Sequence, residues 1–156
     1  MKAIASEHYG KDIEFEPKLS IPVSKLKEYT AKHKAVFMVQ KDFVHSWVEQ
    51  HGAKTVYRGM RGKIVAEMKK QIAEGKTEIE INANTLSSWS DSHNKAKNSF
   101  GKGGVVLSMK VKPENVWACY GAQPFSSFKS HQSEREYVMG MPEKIWKIKK
   151  EDLEFL

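Results

Sequence analysis

The stretch TEIEIN, residues 77–82, is the point at which the hydrophobic pattern of the chain changes its period. Within it, Ile79 and Ile81 alternate with glutamates, as residues of a half-buried β-strand do. Before it, apolar residues recur mostly at steps of three and four, the spacing of amphipathic helices. After it, the period of two continues. Helices first and strands later predict an α+β fold with a substantially antiparallel sheet.

Segments on either side of residues 77–82 give the predicted order of elements. One or two helices are predicted over residues 25–51, before Gly52, and another helix over residues 61–75. Residues 1–23, which are interrupted by two prolines, are predicted to be irregular. The predicted strands are KTVYRG (54–59, between the helices), TEIEIN, TLSSWS, GGVVLSMKVK, NVWACY, REYVMG and KIWKIKK.

Apolar residues of the first helical region recur at three- and four-residue steps: Leu26, Tyr29, Val36, Phe37, Val39, Phe43, Val44, Trp47 and Val48. This spacing places them along one side of a helix. A stripe of this kind is more typical of a core face than of a ligand-binding surface. We therefore expect it to face the core.

Length and charge limit the classes of protein to be considered. The 156 residues suit a single domain over residues 1–156. The chain carries 26 Lys and Arg against 19 Asp and Glu, a net charge of +7, which favours an anionic partner such as nucleic acid, a phosphate-bearing cofactor or an acidic protein. A solvated lysine-rich surface explains the same charge, so the charge alone names no partner.

The single cysteine and the N-terminal residues bear on the compartment. Cys119 alone excludes an internal disulfide framework and a cysteine-only zinc site, and we expect it to be a core thiol. The N-terminus contains no apolar signal region, and no segment approaches the ~20 apolar residues of a membrane span. We therefore expect a cytoplasmic protein that acts away from membranes; delivery into a target cell as an effector is compatible with this pattern.

Three short motifs carry the residues from which chemistry is expected. Arg58 stands in VYRG, Ser88 and Ser90 flank a tryptophan in LSSWS, and Glu134 and Glu136 occupy alternate positions in SEREY. Arginine suits bidentate binding of phosphate or carboxylate, and two carboxylates on one strand face repel each other at a cost in stability. Each motif taken singly is also explained by an exposed strand face.

In this order, the three motifs resemble the signature of mono-ADP-ribosyltransferases of the arginine-serine-glutamate class. That family has a strand arginine, a Ser-x-Ser motif on a second strand, and a Glu-x-Glu or Gln-x-Glu motif after a target-recognition loop. The resemblance covers about residues 55–140, with residues 121–132 as the loop. Trp89 departs from the commonest family pattern, which has threonine between the serines, and Ser87 offers a second register; we choose Ser88.

The resemblance implies both a fold and an activity. The fold would be ADP-ribosyltransferase-like, with N-terminal helices packed on a core of two mainly antiparallel sheets. The activity would be a glycosyl transfer that moves ADP-ribose from NAD to arginine side chains of proteins and releases nicotinamide, as bacterial toxins and phage effectors of this family do. NAD would be a co-substrate, and no metal would be needed.

Site roles also follow from the resemblance. Glu136 would be the catalytic carboxylate that faces the cation developing on the ribose, and Ser88 would orient it. Glu134 would take a proton from the attacking guanidinium, because a protonated arginine is not a nucleophile. The remaining predicted residues are Arg58, Tyr57, Gly59 and Ser90, which would hold NAD, and Phe125 and Phe128, which would contact the target.

Other functions remain compatible with the sequence. The acceptor could be RNA or DNA, since the positive charge would hold phosphates and Glu134 would also activate a base. A non-catalytic binding module would use the same polar residues as an ordinary sheet face. The sequence does not disclose whether an immunity protein or antitoxin restrains the chain.

Overall fold

The chain forms four helices and eight strands in the computed structural model, which describes residues 2–11, 23–99, 103–122 and 135–156. The helices are α1 (Lys2–His8), α2 (Val23–His51), α3 (Lys63–Ala73) and α4 (His93–Ser99). The strands are β1 (Thr55–Met60), β2 (Glu78–Asn82), β3 (Leu86–Ser90), β4 (Val105–Lys110), β5 (Val116–Cys119), β6 (Glu136–Gly140), β7 (Ile145–Lys149) and β8 (Leu153–Phe155). Short 3₁₀ turns precede β5 and β8.

The strands form two sheets. Six strands pair in the order β5-β6-β3-β1-β4-β8, and β2 pairs with β7 separately. Each of these strand pairs is antiparallel. The α+β class with two antiparallel sheets, expected from the change of hydrophobic period and from the family resemblance, is confirmed at this level.

The main core is formed by residues of the two sheets together with α2 and α3. Ile79 and Ile81 are buried, while the glutamates between and beside them are exposed, as the TEIEIN pattern predicts. The glutamates face lysines across the sheet, for example Glu80 opposite Lys147, and such cross-strand pairs of opposite charge stabilise an exposed sheet face. Trp89 of β3 meets Trp146 of β7 edge to face, with 5.1 Å between ring centroids, and so joins the two sheets.

Helix α1 corrects the expectation that residues 1–23 are irregular. Ile4 and Ala5 are buried against Trp117 of β5 in a second, smaller apolar cluster. The Trp117 indole N–H donates to the Tyr9 hydroxyl at 2.9 Å, directly after the helix. A seven-residue helix is marginal in isolation, so these tertiary contacts, rather than its own periodicity, hold it.

Helix α2 lies along β5, the strand at one edge of the six-stranded sheet. The helix predicted over this region is confirmed, as one helix. Its residues Val44 and Val48 are buried in the main core. The predicted core stripe is wrong in part, because Val36, Val39 and Phe43 are 59%, 65% and 41% exposed. A helix that packs mainly on a single edge strand buries only a narrow face.

Two further elements were not expected from the sequence. Helix α4 has no apolar periodicity; of its side chains that the structure describes, only Ala96 is buried. Strand β8 has three residues and pairs with β4 at the opposite edge of the sheet. No described helix combines the length and apolarity needed to cross a membrane.

Gly140→Ala should destabilise the fold by about 1 to 3 kcal/mol, because overpacking a closed site forces neighbours to move. A Cβ at this position would lie 2.1 Å from the Tyr9 hydroxyl and 2.6 Å from the Trp117 indole nitrogen. Urea denaturation measures the change. Gly10→Ala is the control, because its added Cβ meets nothing within 4 Å. Its only expected cost, about 1 to 2 kcal/mol, comes from the left-handed backbone, with φ of 66°. Stability equal to wild type in Gly140→Ala would contradict this packing.

Candidate functional site

The six-stranded sheet is split between β1 and β3. Strand β1 pairs with β4 at six successive positions but with β3 only where Tyr57 meets Ser90. Beyond that point β1 and β3 no longer pair, so the backbone N–H and carbonyl groups along their facing edges need other hydrogen-bond partners. The split therefore creates an opening in the middle of the sheet.

Arg58 lies at this opening. Its Nη1 donates to the backbone carbonyl of Ser88 at 2.6 Å, so the side chain satisfies a β3 carbonyl where backbone pairing has ceased. Arg58 is half-buried, and burial lowers the pKa of its guanidinium below the usual value. Among the residues that the structure describes, no carboxylate forms an ion pair with it. The remaining N–H groups therefore suit an anionic ligand.

Strand register places three predicted site residues in one row. Tyr57 is opposite Ser90, and Ser90 is opposite Glu136 on its other side. Residues opposite each other on paired strands direct their side chains to the same face of the sheet. Strands β1, β3 and β6, which carry the three motifs, are therefore neighbours in the sheet.

These strands enclose a cleft of about 370 Å³, within the range of small-molecule sites. All of the predicted site residues that the structure describes line it. The lining consists of Tyr57, Arg58, Gly59, Leu86, Ser87, Ser88, Trp89, Ser90 and Glu136.

The serines of β3 have different environments. The Ser87 hydroxyl accepts a hydrogen bond of 2.8 Å from the indole N–H of Trp89, which is buried. Ser88 is exposed and lines the cleft, and its hydroxyl forms no hydrogen bond with any residue that the structure describes. Ser90 is buried, and its hydroxyl accepts from the Ser92 N–H at 3.1 Å. Ser87 thus has a structural partner, whereas the Ser88 hydroxyl is available to a ligand.

The approach to Glu136 differs from the expected regular strand. Strand β6 begins at Glu136, and Arg135 before it has a φ of 53°, in the left-handed region that non-glycine residues rarely adopt. Arg135 therefore precedes the strand instead of belonging to it, and the predicted shared face of Glu134 and Glu136 lies partly outside the described residues. Three predicted site residues, Glu134, Phe125 and Phe128, lie outside the described residues.

An acidic residue that the sequence analysis missed lies directly after β3. Asp91 has a side chain that is 8% exposed, and Nε of Arg135 lies 2.6 Å from its Oδ1. Its Oδ2 accepts from the Tyr120 hydroxyl at 2.9 Å and from Nη2 of Arg135 at 3.2 Å. Local sequence gave no signal for this cluster, because its three members are far apart in the chain.

The wall of the cleft at Tyr57 is supported from behind. The Tyr57 ring meets the ring of His93 edge-on, with 5.3 Å between centroids, and His93 Nε2 lies 2.5 Å from a carboxylate oxygen of Glu154. These contacts join β1 to α4 and β8. Within the described ranges no group of three or more metal-ligating side chains occurs.

Comparison with known proteins adds no relative. No protein-family model, curated protein or solved structure matches the chain. The functional interpretation therefore depends on the geometry of the cleft and on the motifs that line it.

Ser87→Ala and Ser88→Ala should separate the two possible serine registers. Ser87→Ala should cost about 1 to 3 kcal/mol, because the buried Trp89 N–H loses its acceptor. Ser88→Ala should change the free energy of unfolding by less than about 0.5 kcal/mol, as expected of an exposed side chain. Chemical denaturation measures both, and the reverse order would contradict the assignment of Ser88 to the cleft.

Arg58 should make the fold sensitive to a pyrophosphate anion. At ten times the dissociation constant, pyrophosphate should stabilise the wild-type protein by about 1.4 kcal/mol, seen as a rise in Tm. Arg58→Met should abolish this rise, whereas Arg61→Met, which removes an exposed arginine three residues away, should retain it. Equal stabilisation of the wild-type and Arg58→Met proteins would exclude Arg58 as the anion-binding group.

Proposed function

We propose that the chain transfers ADP-ribose from NAD to arginine side chains of target proteins. One observation carries the proposal: three neighbouring strands bring Arg58, Ser88 and Glu136 to the same cleft. These are the residues, in the same order along the chain, by which the sequence resembles the arginine-serine-glutamate ADP-ribosyltransferases. Both the order and the grouping are then accounted for by one activity.

The cleft has the chemical groups that this reaction requires. The glycosidic bond between nicotinamide and C1′ of the ribose breaks with its electron pair on nicotinamide, which departs as a neutral molecule. Positive charge develops on the ribose, and a fixed carboxylate stabilises such an oxocarbenium-like state. Glu136 lines the cleft and is the group assigned to this role. The Ser88 hydroxyl would orient that carboxylate.

Arg58 supports binding of the rest of NAD. Its guanidinium is half-buried, has one N–H directed to the Ser88 carbonyl, and keeps further donors for phosphate oxygens. Tyr57 and Gly59 flank it on β1 and also line the cleft. A dinucleotide bound there would place its charged phosphates at Arg58 and its nicotinamide ribose near Glu136.

The acceptor is assigned through Glu134. An arginine nitrogen forms the new bond to C1′ and loses a proton, which Glu134 takes, because the guanidinium is protonated at physiological pH. Phe125 and Phe128 would contact the target protein.

Labelled NAD incubated with the purified protein and a cell lysate tests the proposal. The wild-type protein should release nicotinamide and label a protease-sensitive product. Glu136→Gln should lower both reactions by about 100-fold or more, since it removes an electrostatic contact made in the transition state. Glu134→Gln should lose transfer to arginine while keeping nicotinamide release.

The control is Glu143→Gln, which makes the same carboxylate-to-amide change at an exposed position outside the cleft and should behave as wild type. Label that is sensitive to RNase instead of protease would move the acceptor to nucleic acid. An absence of nicotinamide release by the folded wild-type protein would refute the enzymatic proposal and favour a binding module.

A further inference from the structure

We propose that Asp91, Tyr120 and Arg135 form a clamp that fixes the backbone of Glu136 at the cleft and joins the two ends of the segment before it. This inference rests on the proposed function for its catalytic consequence, but the clamp itself is a separate structural claim. Its members are positioning residues, because none of them lines the cleft.

The clamp is centred on one carboxylate. Asp91 follows the cleft residue Ser90 directly, and its nearly buried side chain receives Arg135 through two nitrogens and Tyr120 through its hydroxyl. The Arg135 guanidinium also lies over the Tyr120 ring, 6.0 Å from its centroid. Arg135 contacts both oxygens of the Asp91 carboxylate but donates a hydrogen bond only to Oδ2. A charge-assisted hydrogen bond fixes relative orientation better than a contact between charges alone.

Backbone hydrogen bonds join the three clamp residues to one another and to Glu136. The Asp91 N–H donates to the carbonyl of Arg135 at 3.3 Å, and the Tyr120 N–H donates to the carbonyl of Glu136 at 3.0 Å. Tyr120 precedes residues 123–134 and Arg135 follows them, so both flanks of this segment meet at Asp91. The side chains and the backbone therefore hold one junction.

The backbone of Arg135 explains why such a junction is needed. An arginine in the left-handed region is disfavoured because its Cβ approaches the following carbonyl. This conformation occurs immediately before Glu136, where a change in backbone direction would move the carboxylate. The contacts to Asp91 oppose relaxation of Arg135 to an extended conformation. Ordered sites of this kind lose activity steeply when a reactive group is displaced.

Asp91→Asn tests the clamp, because it keeps the shape of the side chain but removes its charge. Backbone amide exchange, followed by NMR, should become about 10-fold faster or more at Asp91 and Tyr120, as expected when a local contact opens. In the nicotinamide-release assay, kcat should fall by about 10- to 100-fold while KM for NAD changes less than about threefold, which is typical of mispositioning. Glu7→Gln, which breaks the exposed pair with Lys34, should alter neither measurement.

Arg135→Gly separates the clamp from simple backbone strain. Glycine accepts the left-handed conformation but cannot bind Asp91. The clamp predicts that Arg135→Gly loses kcat as Asp91→Asn does, and that the double variant is no worse than either single variant. Full activity in Arg135→Gly would refute the role of the clamp in positioning Glu136 and leave only the backbone requirement.

A milder variant keeps the clamp testable if Asp91→Asn or Arg135→Gly fails to fold. Tyr120→Phe removes one hydroxyl and leaves the ion pair, so it should fold and show a smaller acceleration of exchange at Asp91. Unchanged amide exchange in both Asp91→Asn and Tyr120→Phe would refute the clamp even if the wild-type protein turns over NAD.

Faster exchange with unchanged kcat would refute the role of the clamp in positioning Glu136. If the wild-type protein released no nicotinamide, the proposed function and this catalytic role would fail together, and amide exchange would still decide whether the clamp exists.

Discussion

Incomplete pairing between β1 and β3 is the constraint on which the cleft depends. If β1 and β3 paired along their whole length, their backbone groups would hydrogen-bond to each other and no opening would remain between the strands. Here, the strands meet at Tyr57 and Ser90 and then diverge. The opening requires an internal donor for the Ser88 carbonyl, and Arg58 supplies it. The same side chain therefore stabilises the split and places a cationic group inside it.

The opposite face of the same strands is tightly packed, which keeps the cleft in shape. Along β6, Glu136 is in the cleft while Tyr137 is buried in the core, where its hydroxyl accepts from the Ala53 N–H at 3.0 Å. Burial raises the pKa of Tyr137 well above its usual value, so the hydroxyl stays neutral at physiological pH. Along β3, Trp89 is also buried, although part of it lines the cleft. In β6, neighbouring residues thus serve the cleft and the core in turn.

Periodic patterns in the sequence predicted the elements that bury one regular face. TEIEIN and the helix over residues 61–75 are of this kind, because alternation or helical spacing directly reflects burial. Helix α1 was not predictable, since it depends on Trp117, which is more than a hundred residues away in the chain. The left-handed Arg135 was not predictable either, because arginine has no local preference for that conformation.

The same limits apply to the site. Tyr57, Arg58, Gly59, Ser88, Ser90 and Glu136 were predicted to share a site because each belongs to a short motif with a recognisable order, and all six line the cleft. Asp91 has no such motif: its partners are 29 and 44 residues away, and the pairing of β6 with both β3 and β5 brings them together. Strand pairing with that separation, and the split beside it, are properties of the folded chain that local patterns do not encode.

The pairing of β3 with β6 also has a consequence for folding. The cleft strands come from residues 55–60, 86–90 and 136–140, so the contacts that assemble the cleft have large sequence separations. Contacts between residues far apart in the sequence form slowly, because the chain loses loop-closure entropy before the contacts are made. During synthesis, the strand that carries Glu136 emerges after the other two. A nascent chain therefore has no complete cleft until β6 has been made.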